Sequence, residues 1–452
     1  MAIGDRDSIV PAEVSGRRIR FRVSDPTKGA FFWLCAFFVM YCTRPQDFIP
    51  GAQYIPVGKI TAIMAMWGLF NAVGRTKRKY KDLPKEATLL LVIIGLFYVG
   101  AILSPIWKVG ALTHTMDFSK VYISWVLVFL LVTTFDRLRK IVFIQAFSMI
   151  LICTIAIVKG HDVPRLDSVL GGIYGNSNDL AFAIVLSLPL ALAFLVTAKS
   201  AVIKVFWLGG MLVMLVAIFL TASRAGFINL VISFSVALYY FGIKGRRFYL
   251  IVAAGLIGAV VMGAFGGKLY DRFAALNGGS ATEQSAYGSY EQRKYLMDRA
   301  VDAIEHYPIF GLGCHDFPPY SLVWHDVHMT YLQIGAEGGI PVLVLYLMFF
   351  RRGFMNLKIL HKKKDLDSDT VLFVGALHSS LVGFIVGAFF APEAYQGFPY
   401  LAVALTAALL QTVKEHEQER GSGAAPAPPE KPRHFLEVYA NHGTTGAVSP
   451  VR

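Results

Sequence analysis

Apolar runs about as long as a bilayer is thick recur along this chain and leave few folds open to it. A helix needs about 20 mostly apolar residues to cross hydrocarbon, and every backbone polar group must be satisfied within it. Candidate spans fall at residues 29–41, 57–73, 87–103, 118–134, 141–158, 179–197, 202–220, 226–242, 248–265, 328–350, 371–390 and 400–413. Composition agrees, since only 16% of the residues are charged, against about 25% in a soluble domain. The expected fold is all-α: a polytopic helical membrane protein with about 12 transmembrane helices and one long outer loop.

The net charge of +13 invites a nucleic-acid reading, but the excess sits in short loops between apolar runs. Basic residues gather in alternate loops: Arg17, Arg18, Arg20 and Arg22; Arg75, Lys77, Arg78 and Lys79; Arg137, Arg139 and Lys140; Lys244, Arg246 and Arg247; Arg351 and Arg352. The short loops between them hold only Arg44, Lys108, Lys159 and Arg165. By the positive-inside rule both termini are cytoplasmic and residues 267–327 face outward, as expected of a multi-pass protein and not of a nucleic-acid binder. The chain divides into a basic arm (1–28), nine spans (29–266), a large outer loop (267–327), three spans (328–413) and a Pro/Ala-rich tail (414–452) read as disordered. The arm carries no cleavage pattern of a signal peptide. Cys35, Cys42, Cys153 and Cys314 form no CxxC pair, so neither a zinc site nor a disulfide framework is expected.

Chemistry is expected where polar residues concentrate, between Gly267 and Pro341. Positions 293, 296, 297, 300 and 304 share a helical face, giving Arg293, Leu296, Met297, Ala300 and Ile304. Such a helix would lie on the outer leaflet with Arg293 at headgroup level, where a guanidinium grips phosphate bidentately; a solvated surface arginine is the plainer reading. Arg224 interrupts two apolar runs in Thr221-Ala222-Ser223-Arg224-Ala225-Gly226. A charge at membrane depth is costly and usually functional, although a snorkelling interfacial cation would also fit. His328, after His325 and Asp326, stacks with Leu332 and Gly335 if it is helical, and a neutral imidazole there suits general-base work. Asp326, Lys120 and Asn178 are further candidate substrate contacts. Lys120 is alternatively an interfacial anchor, and Asn178 or Asp179 alternatively caps the helix that follows. A metal-dependent lipid-linked transferase would be expected to show an acidic pair in its first outer loop, which offers Asp47 alone.

At these residues the chain resembles the O-antigen ligase and polymerase family of bacterial envelope proteins. The matching pieces are Thr221 to Gly226; the Arg293 segment leading to Pro308-Ile309-Phe310-Gly311-Leu312-Gly313 and Phe317; His328 with Tyr331-Leu332-Gln333 and Glu337-Gly338; and Gly175-Asn176-Ser177-Asn178. The resemblance implies an inner-membrane glycosyltransferase that moves a glycan from undecaprenyl diphosphate to an acceptor hydroxyl at the periplasmic face, with no metal or other cofactor. The acceptor would be lipid A core, a growing glycan or a protein. Arg224 and Arg293 would hold the diphosphate and His328 would activate the hydroxyl. Where the family often has Asn after this His, Met329 stands here. A polymerase shares the fold and donor. A lipid-linked oligosaccharide flippase fits the span count, but it predicts charges within the spans and two related halves, neither of which is evident.

Overall fold

The computed structural model describes residues 25–421 except 50, 73, 164, 167, 168, 266 and 268–280. The basic arm, the tail and the opening of the outer loop therefore lie almost wholly outside the described residues. Among the described residues there are helices and no strands. In order they are α1 (Lys28–Thr43), α2 (Val57–Asn71), α3 (Lys85–Leu103), α4 (Lys108–Leu131), α5 (Phe135–Lys159), α6 (Ser177–Thr197) and α7 (Ala201–Leu220). Then come α8 (Arg224–Leu238), extended by a π-helical stretch (Tyr239–Lys244), α9 (Tyr249–Phe265), α10 (Ala281–His306), α11 (Phe317–Ser321), α12 (Thr330–Lys362), α13 (Ser368–Gly387) and α14 (Gly397–Gly421).

Every expected apolar run falls on one of these helices. Among the described residues, 7 helices are long and apolar enough to cross a membrane: α3, α5, α6, α7, α8 with its π extension, α12 and α13. The protein is thus a multi-pass membrane protein. The remaining runs fall short for identifiable reasons. Helices α1, α2 and α9 have 16, 15 and 17 residues, α4 carries His114, Asp117 and Lys120, and α14 runs on into Lys414, Glu415, Glu417, Glu419 and Arg420.

The described residues up to Leu410 form one compact unit, and the end of α14 from Gln411 belongs to another. In the first unit α6 is buried nearly all round, as expected of a helix with no polar face, and it packs against α5, α7, α8 and α13. At one end of the bundle Arg78, expected in a basic loop, is instead buried. Its Nη1 donates to the carbonyls of Phe129 and Val132, both at 2.8 Å, and its Nη2 to that of Ala408 at 3.2 Å. Two of these carbonyls lie where α4 ends and intrahelical donors run out. The opposite end, called upper here, gathers the loops that carry the candidate residues. Tyr174 donates to Cys42 O at 2.8 Å, Arg165 to Thr221 O at 2.7 Å, and Gly397 N–H to the Tyr41 hydroxyl at 2.9 Å.

Candidate functional site

The upper site is built on a break in α12. Pro341 has no N–H to give the carbonyl of Glu337, and Gly339 (φ 77°, ψ 175°) leaves the helical region altogether. The carbonyls freed by the break are not left bare. Leu312 N–H donates to Ala336 O and Gly313 N–H to Glu337 O, both at 2.9 Å, while Ile340 N–H turns to Pro308 O at 2.8 Å. The Pro308–Gly313 turn is thereby docked along the broken helix. Gly311 (φ 65°) lies so close that a Cβ there would sit 2.4 Å from the Glu337 carbonyl carbon.

Helix α10 covers this arrangement. Leu296, Ala300 and Ala303 pack with Leu312, Phe317, Val327 and Ala336. The apolar face therefore seals against protein, not against an outer leaflet. Its stripe is rotated from the expected one: Met297 is 42% exposed, because Ala303 and not Met297 meets the docked turn. Arg293, on the same helix, is half-buried and its charge reaches His328.

His328 precedes α12, whose first residue is Thr330, so it does not stack on a helical face with Leu332 and Gly335. Thr330 anchors that start by donating from N–H to Ala388 O at 2.8 Å and from its hydroxyl to Ala391 O at 2.7 Å. Burial, then the positive charge of Arg293 and then His325 push the His328 imidazole down to about 4. It is therefore neutral at pH 7, the form a general base must have. Asp326 is held above its ordinary carboxylate range by burial, and its Oδ1 lies 3.4 Å from Gln333 Nε2 and 4.0 Å from His315 Nδ1.

Beyond Asp326 is a cluster of which only Glu337 lay in a noted motif. His315, in the left-handed region at φ 59°, packs between the rings of His114 and Tyr395, each with centroids 4.7 Å away. Burial, then His114, lowers His315 to about 4. Glu337 is fully buried; its Oε1 accepts from Phe317 N–H at 3.2 Å and its Oε2 from the Tyr395 hydroxyl. One atom each of His315, Asp326 and Glu337 lies within 4.8 Å of the others, a set that among the described residues could hold a metal ion. Asp316 is also buried, where Ser104 Oγ and Trp107 N–H donate to its Oδ2. Sequence reading passed over His114, His315 and Tyr395 because they come from three distant segments, each without a pattern of its own.

Arg224 opens α8, half-buried. The residue before it, Ser223, accepts from Gly226 N–H at 3.0 Å and donates to Asn178 Oδ1 at 2.7 Å, so Asn178 braces the arginine turn. It does not cap α6; neither does Asp179. Asn176 does, accepting from Asn178 N–H at 2.8 Å. Small residues Asn178, Ser223 and Gly226 line a narrow cleft with Gly387 and Ala391. Residues 388–391 thus touch both the Arg224 turn and the start of α12 beside His328. Lys120 lies elsewhere: 12 residues into α4, 57% exposed and paired with Asp117. Asp47 pairs with Arg44 and packs on Gly171 and Gly172.

Arg293, the neutral His328 imidazole and Asp326 thus lie in one region, while Arg224 stands on a turn that the 388–391 segment links to the start of α12. Residues 209–347, from α7 to the middle of α12, match the family described as O-antigen ligase. The comparison with curated proteins gave no match.

Proposed function

We propose, from the match of residues 209–347 to the O-antigen ligase family, that the chain transfers a glycan from undecaprenyl diphosphate to an acceptor hydroxyl at the periplasmic face of the inner membrane. The observation that carries the reading is the family match itself, within which Arg224, Arg293 and His328 all fall. In this mechanism the acceptor oxygen attacks the anomeric carbon while its proton passes to His328. The bond from that carbon to the diphosphate oxygen breaks, and its electron pair leaves with the diphosphate. Arg224 and Arg293 stabilise the charge that develops there, which is worth most in a site shielded from water. Asn178 holds the Arg224 turn, and Asp326 faces the acceptor.

A groove of about 530 Å³ supports a lipid donor. Its walls include Phe219, Phe227, Leu230 and Leu238, with Ile251 and Val261 of α9. It starts within a turn of Arg224, so an isoprenoid tail can lie in it while the arginine meets the diphosphate. A polymerase would use the same donor site with a growing lipid-linked glycan as acceptor.

Deletion of the gene, followed by gel analysis of lipopolysaccharide and secreted polysaccharide, tests the reading. Complete core without long chains, with polymer held on the lipid carrier, marks a ligase. Core bearing a single repeat unit marks a polymerase. Complementation with Arg224→Lys or Arg293→Lys is expected to fail, because an ammonium cannot form the bidentate contact. Full rescue by both lysine variants and by His328→Ala at wild-type abundance would sink the mechanism.

A further inference from the structure

We propose that His315, Asp326 and Glu337 form a binding site for one divalent first-row cation, Zn²⁺ or Mn²⁺. One nitrogen and two carboxylate oxygens from three separate segments lie within 4.8 Å of one another. Ligands each about 2.0–2.2 Å from an ion end up at most about 4.4 Å apart, so a small side-chain adjustment closes the set.

A second observation points the same way. Gln333 stands one turn before Glu337 on α12, is 1% exposed, and its Oε1 has no hydrogen-bond partner. Its Nε2 makes only a long 3.4 Å contact to Asp326 Oδ1. A buried amide oxygen left unpaired costs about 1–3 kcal/mol. The amide thus gives the Asp326 carboxylate only one weak donor.

The surroundings hold the donors as a metal's outer shell does. Glu337 is fixed by Phe317 N–H and the Tyr395 hydroxyl, and the His315 ring by His114 and Tyr395. His315 is neutral at pH 7, which is the ligating form. One imidazole with oxygen donors suits a borderline or moderately hard cation. Cys314, though adjacent, lies outside the ligand group, so a soft thiolate site is not formed. An ion here ties the 313–316 segment to Asp326 and to α12, two residues from His328.

The cation would share Asp326 with the proposed acceptor contact, but its binding is read on the resting protein, without any transfer. Full-length protein in detergent micelles, stripped with chelator and desalted, is titrated calorimetrically with ZnCl₂ and separately with MnCl₂. Metal content after desalting is read by mass spectrometry. We expect one saturable ion per chain for at least one of the two. Loss of outer-shell partners already costs 10–100-fold in affinity, so His315→Ala should weaken binding by more than about tenfold. Asp326→Asn is nearly isosteric, does not disturb the Glu337 bonds, and should do the same if the His315 variant fails to fold. His161→Ala, in an exposed pair with Asp162, should bind as wild type does. Absence of saturable binding to the wild type for both ions, or binding unchanged in a folded His315 or Asp326 variant, would overturn the proposal.

Discussion

Replacing His328 by Gln should stabilise the protein in acid while leaving it nearly unaltered at neutral pH. The ordinary imidazole value is about 6.5, and in the fold it is about 4. Between these values the unfolded chain binds a proton that the folded chain refuses. Stability therefore falls as pH drops through 6.5 and levels off below 4, where both states are protonated. At pH 5 the cost of keeping His328 neutral is about 2 kcal/mol; this is an upper bound, because the half-buried ring is partly screened by water. Glutamine cannot titrate and escapes that cost. Fluorescence-monitored denaturation in detergent at pH 7.5 and pH 5.0 gives the double difference directly. If wild type and His328→Gln lose equal stability between the two pH values, His328 is not desolvated beside Arg293, and the structural basis for its role as base fails. In the proposed reaction the acid limb of the rate profile should likewise fall near 4, not near 6.5.

Two other changes probe the frame around the site. Arg78→Met strips three carbonyls of their shared donor and should cost at least about 1–3 kcal/mol, the range for a buried polar group left unsatisfied; thermal unfolding in micelles measures it, and a loss under 1 kcal/mol would mean that water already reaches those carbonyls. Tyr395→Phe removes the donor to Glu337 Oε2 and should cost about 1–3 kcal/mol, seen as a lowered denaturation midpoint with an unaltered helical signal.

The bundle was readable because lipid permits so little: each apolar run that could be counted became a helix, and the interruption at Ser223-Arg224 became a helix start. The polar segment at α10 was readable as a helix, but not what covered its apolar face. A 3.6-residue stripe reports that a face is buried, and protein and lipid leave the same stripe. His328 was legible as a candidate because it stands next to an apolar run. His114, His315 and Tyr395 were not, since no periodicity links residues that meet only through the docked turn. Arg78 shows a similar limit. In sequence it is one of several loop cations, and only the carbonyls at the end of α4 distinguish it from Lys77 and Lys79.

The docked turn is what makes the rest of the site possible, and two glycines carry it. Gly339 has φ 77° and ψ 175°, a combination essentially confined to glycine and costing any other residue about 1–3 kcal/mol. A Cβ at this position would also meet Ile309 O at 2.5 Å and Pro308 O at 2.9 Å. Both neighbours are backbone, so the turn itself would have to move and its three hydrogen bonds to α12 would lengthen together. Gly339→Ala should therefore cost more than the strain alone, about 3 kcal/mol or above, and Gly311→Ala, which meets the Glu337 backbone, should behave alike. The two effects should be less than additive, because either substitution lifts the same turn. Measuring both single variants and the double by denaturation in micelles decides the matter. Simple additivity would mean that each glycine serves only its local backbone, and that the turn is not held to the broken helix as one unit.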